Sequence, residues 1–134
     1  EAIESREVGA KAPVEVVAKE APAKAVPLEV ERVGAPAVIA ECQARLEIEP
    51  NDYNARLSLA RAYHQGGDRK AAFDQYGRLI RSGRLLEMVI EDLERVSRET
   101  PEQSAVWDLL GDAYAKAGYL QKALESYQEA LARL

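Results

Sequence analysis

The sequence predicts an all-α domain of stacked antiparallel helical hairpins behind an extended N-terminal tail, and three observations carry that prediction. First, Pro36, Pro50, Gly66-Gly67, Gly83, Pro101 and Gly118 divide the chain from residue 35 onward into segments of about 13–15 residues, the length of an ordinary globular helix. Second, apolar residues within those segments recur three and four apart, the spacing of a helix with one buried face. Third, the pattern repeats. An offset of 51 residues lays Val38-Ile39 on Val89-Ile90, Pro50 on Pro101, Leu59 on Leu110, Ala62-Tyr63 on Ala113-Tyr114, Gly67 on Gly118, Ala72 on Ala123 and Tyr76 on Tyr127. Repetition at a fixed period marks a stack of similar units.

Residues 1–34 form the tail. They are mostly Ala, Val, Glu, Lys and Pro, and contain no aromatic residue. Pro13, Pro22 and Pro27 each remove a backbone donor and push the preceding residue out of the α region. The runs at 13–17 and 27–33 partly alternate apolar and charged residues, so the tail is expected to dock in extended form on the helical array or to remain a tether. Helices are expected at 36–49, 53–65, 69–82, 85–99, 104–117 and 120–133. Asp68 is placed as an N-cap, and Ser104 as the cap of the helix carrying Trp107. Connections of about two to four residues make neighbouring helices antiparallel. The offset spans three helices, so residues 35–134 read as a duplicated three-helix block.

Composition narrows the function. The 134 residues carry a net charge of −5, which argues against nucleic acid because phosphate binding requires a positive face. No stretch reaches the roughly 18 apolar residues of a membrane span. Cys42 is the single cysteine and belongs to a helix interior, so no intrachain disulfide is available and a cytoplasmic setting is expected. His64 is the single histidine, with no second nitrogen or sulfur ligand at metal spacing. A Cys42–His64 pair lacks an orienting third group and an oxyanion loop. Gly66-Gly67 precedes Asp-Arg-Lys, which is no phosphate loop. Neither catalysis nor a metal or cofactor is expected.

Residues 104–134 resemble one tetratricopeptide repeat. Trp107, Leu110, Gly111, Tyr114, Gly118, Ala123, Tyr127 and Ala130 hold the family's marker places in order, and Pro101 stands where the preceding repeat closes. Residues 53–84 are similar through Leu59, Ala60, Tyr63, Gly67, Ala72 and Tyr76, although Arg56 replaces the Trp and Leu79 the second small residue. The helices at 36–49 and 85–99 look like second halves of repeats, with Val38, Cys42, Val89, Leu93 and Val96 at core places. The resemblance implies a right-handed stack in which small residues admit a neighbouring helix and aromatic rings fill the wider gaps.

The resemblance also implies a groove lined by the first helix of each hairpin. Those places hold Asn54, Leu57, Ser58, Arg61 and Gln65 in one hairpin, and Ala105, Asp108, Leu109, Asp112 and Lys116 in the other. Asp108 and Asp112 stand where a clamp for a C-terminal carboxylate would need cations, so that ligand is not expected. Arg69, Lys70, Arg78, Arg81 and Arg84 cluster just before Glu87, Glu91, Asp92, Glu94 and Glu99, a juxtaposition suited to local pairing or to steering a partner. The expected function is a scaffold or adaptor that binds a peptide or partner protein. Self-assembly into homo-oligomers and a regulatory role within a larger enzyme are the alternatives.

Overall fold

The computed structural model describes residues 34–134, so the expectations for the tail lie outside the described residues. Six helices follow one another: α1 Ala35–Ile48, α2 Tyr53–Gln65, α3 Arg69–Ser82, α4 Leu86–Glu99, α5 Ser104–Ala117 and α6 Leu120–Ala132. Pro36 sits in the first turn of α1, where its missing N–H leaves no bond unmade. Asp52 and Asp68 cap α2 and α3 by accepting from the amides of Ala55 and Ala71. Ser104 is itself the first helical residue of α5; Gln103 precedes it as the N-cap and its side chain caps nothing. The equivalent glycines Gly67 and Gly118 share a positive φ, at 89° and 92°, so the two copies of the block turn in the same way.

Each helix packs on the next, and α3 also packs on α5. Side-chain bonds link α2 to α4, and one cleft is lined by α4, α5 and α6. The helices therefore alternate between two layers, with α2, α4 and α6 in one and α3 and α5 in the other. The main core runs through α2 to α6, with Leu57, Tyr76, Leu79, Val89, Leu93, Val96 and Val106 almost fully enclosed. A smaller cluster holds α1 against α2 through Val38, Cys42, Leu59 and Ala62. The alanines at 60, 62, 72 and 113 are completely buried, as close helix approach requires. Leu85, just before α4, adopts φ 57° and ψ 33°, and packs against the main core in that left-handed conformation.

The two copies also repeat their polar contacts. Trp107 Nε1 donates to the Pro101 carbonyl at 2.9 Å, and Arg56, its counterpart, donates to the Pro50 carbonyl at 3.2 Å. Gln43 of α1 donates to the Tyr63 hydroxyl of α2, and at the matching places the Tyr114 hydroxyl of α5 donates to Glu94 of α4. Thus α4 lies on α5 as α1 lies on α2.

Candidate functional site

The residues predicted to share a groove divide between two places. Between α2 and α5 lie three helix steps, an odd number, and in a two-layer stack an odd step changes layer. Leu57 and Ser58 are buried and do not line a groove. Arg61 points to α4, where its Nε lies 2.8 Å and its Nη2 3.1 Å from the two carboxylate oxygens of Asp92. Asp92 is only 2% exposed and also accepts from the Tyr76 hydroxyl at 2.8 Å. Arg61 therefore joins three helices in a buried polar knot, and Asn54 and Gln65 lie exposed at the edges of α2. Burial works against the charge of Arg61, but the hydrogen bond and charge of Asp92 outweigh it and hold its pKa above the usual value. Burial, followed by Asp92, pushes the Tyr76 hydroxyl well above its ordinary pKa.

The second set does converge. Leu109, Asp112 and Lys116 of α5 form the floor of a cleft of about 380 Å³, walled by Gly77, Ile80 and Arg81 of α3 and by Tyr127 of α6. A second hollow continues it along α3 and α5, adding Phe73, Asp74 and Arg78 opposite Ala105 and Asp108. Gly77 is buried on this wall, and a Cβ there would make an ordinary contact with Leu109 Cδ2 at 3.8 Å. The groove thus has an apolar base, with Asp108, Asp112 and Lys116 on α5 and Arg78, Arg81 and Asp74 on α3. Among the described residues neither Arg78 nor Arg81 pairs with a carboxylate, so both remain open to a partner.

Among the described residues the two charge clusters form no ion pair with one another. Asp92 goes to Arg61 and Arg95, Glu99 to His64, Glu94 to Tyr114 and Glu87 to Tyr119, while Arg84 stacks over Tyr53 at 5.2 Å. Tyr127 donates to Asp112 at the lip of the groove, and burial and that carboxylate raise its pKa to about 12. Phe73, Gly77, Ile80 and Arg81 belong to α3, the second helix of its hairpin, and so fall outside the first-helix places that the resemblance assigns to a groove. The odd, 51-residue offset was the available signal.

Two layers of antiparallel helices, repeating both their packing and their polar contacts, define a helical-repeat protein whose open surface is a groove between helices. Tetratricopeptide repeat family models match residues 34–87 and 104–134, and the chain belongs to that family. Such repeats are generally protein–protein interaction modules. No curated protein matches the chain. Among the described residues no helix is long and apolar enough to cross a membrane.

Proposed function

We propose that this chain is an interaction scaffold that receives a peptide or helix of a protein partner in the groove over α5, between α3 and α6. The observation that carries the reading is the open pair Arg78 and Arg81 facing Asp108 and Asp112 across the apolar base of Leu109 and Gly77. Opposed charges around an apolar strip fix the orientation of a bound segment, while the strip supplies most of the affinity. The α2 face is not a rival, because its central side chains are spent on the core and on Asp92.

The test begins with selection of binders from a random peptide library against the intact protein. Leu109→Glu and Arg81→Glu are then each expected to weaken a selected binder at least tenfold, with unchanged helicity by circular dichroism. Undiminished affinity in both variants would move the site off this groove.

A further inference from the structure

Three arginines depart from the repeat. The 51-residue offset lays Arg56 on Trp107, Arg78 on Glu129 and Arg81 on Ala132. The α2–α3 and α5–α6 hairpins share their packing and their turns, so the array itself does not call for arginine at these places. In the first copy the three converge. With Asn51, Tyr53 and Ser82 they line a cavity of about 400 Å³, where the start of α2 meets the end of α3.

The cavity is lined by cations without a counter-charge. No carboxylate lines it, and Asp52, the nearest acid in the chain, turns to the Ala55 amide at 3.1 Å. Arg56 is fixed by two neutral acceptors: its Nη1 donates to Gln75 Oε1 at 2.8 Å and its Nη2 to the Pro50 carbonyl at 3.2 Å. Its side chain is thus positioned while its charge stays uncompensated. Burial, followed by the charge of Arg78, holds the Arg56 pKa below its usual value. Arg84 lies 5.2 Å from the Tyr53 ring centre, so a fourth cation borders the same wall. Guanidinium groups gathered in this way repel one another, and an anion seated among them relieves that repulsion.

Arg78 and Arg81 also wall the groove over α5, so a segment lying in that groove reaches the cavity. We infer that the cavity binds a phosphorylated side chain, phosphoserine or phosphothreonine, of the protein segment received in the groove. A carboxylate is satisfied by one guanidinium in a bidentate pair. A phosphoryl group carries a charge of about −1.5 to −2 and three acceptor oxygens, which suits several arginines at once. A nucleic-acid backbone fits poorly, because its serial phosphates need a continuous basic strip and the adjoining hollow carries Asp74 and Asp108.

This inference rests on the groove reading above but is tested separately. Inorganic phosphate is the first probe, titrated into the intact protein at constant ionic strength, with guanidinium Nε–H and backbone amide signals followed by NMR. Saturable shifts are expected at Arg56, Arg78 and Arg81 and at the amides of Asn51 and Tyr53, with Arg69 and Arg98 unmoved. Arg56→Gln should weaken phosphate at least tenfold, the loss of one charge-assisted contact, with unchanged helicity. Arg78→Gln, at an exposed place, should do the same and keeps the test open if Arg56→Gln disturbs the hairpin. The second probe is a random peptide library with a fixed central phosphoserine, set against libraries with serine or glutamate there. The immobilised protein should retain the phosphoserine pool at least tenfold better than the serine pool, and Arg56→Gln should remove that preference.

Leu109→Glu separates the two readings, because it should release the peptides and leave the inorganic phosphate shifts intact. Unchanged peptide retention in that variant contradicts the groove reading and not the phosphate site. Phosphate shifts that never saturate, or that spread over all the arginines, overturn the inference and leave the groove to its own library test. Equal retention of the phosphoserine and serine pools overturns it as well. Equal retention of the phosphoserine and glutamate pools would give the cavity to a carboxylate, and tighter binding of a single-stranded oligonucleotide would give it to nucleic acid. Either result replaces the proposed ligand.

Discussion

Asp92→Ala should be among the most destabilising single changes in the described array. The carboxylate is 2% exposed and receives three hydrogen bonds, two from Arg61 at 2.8 and 3.1 Å and one from Tyr76 at 2.8 Å. Removing it takes this carboxylate from a guanidinium whose side chain is 15% exposed and the acceptor from a hydroxyl that is fully enclosed. Breaking a buried pair from one side costs about 3–5 kcal/mol, because the remaining charge keeps its desolvation penalty and loses its partner. With a urea dependence of about 2 kcal/mol/M, the midpoint should fall by roughly 2 M. Asp92→Asn keeps an acceptor for Tyr76 but not the charge, and should cost about 1.5–3 kcal/mol. The triple change Arg61→Met, Tyr76→Phe, Asp92→Leu removes the whole knot and should be close to neutral, since an apolar cluster of similar volume carries no desolvation penalty. Equilibrium unfolding monitored by circular dichroism measures all three. The reasoning fails if Asp92→Ala costs less than about 1 kcal/mol, or if the triple variant is as unstable as Asp92→Ala.

Gly111→Ala should destabilise by about 1–3 kcal/mol, because the new Cβ would stand 2.6 Å from the Tyr127 ring; adding Tyr127→Ala in the same urea assay should relieve the clash. Trp107→Ala should cost about 1–3 kcal/mol, below the roughly 3–5 of a fully buried ring, because the indole is only partly buried beneath Arg133, with its N–H bonded to Pro101; intrinsic fluorescence of the native protein should show a partly shielded Trp. Tyrosinate absorbance should show Tyr76, Tyr114 and Tyr127 ionising late, since burial and a neighbouring carboxylate raise all three. The unfolded chain then loses these protons first, so their contribution to stability is complete below about pH 10 and is lost as pH rises above it; Tyr76→Phe should flatten that alkaline loss.

Much of this architecture was legible because breakers, helical period and repeat all agree. Pro36, Gly83 and Gly118 sit at helix ends for reasons of backbone geometry that no tertiary context overrides, and the predicted segments fall within a residue of the observed helices. Val38, Cys42, Val89, Leu93 and Val96 are buried as their spacing required. The site was half legible. Ala105, Asp108, Leu109, Asp112 and Lys116 do line one groove, but Leu57 and Arg61 do not, although both hairpins carry the same markers. Helix faces follow from local period, whereas the layer a helix joins depends on how many helices precede it. The Arg61–Asp92 pair spans 31 residues and two helix steps, and nothing in the local sequence distinguishes Arg61 from a solvated arginine.

The central claim is that partners are received over α5, between α3 and α6. Hydrogen exchange of the intact protein, with and without a peptide selected for binding, tests it most directly. Protection is predicted to rise at the α3 residues 73–81 and the α5 residues 105–116, with α2 and the cleft between α4 and α6 unchanged. Protection confined to α2, or to the cleft lined by Glu94, Tyr114 and Lys122, would contradict it.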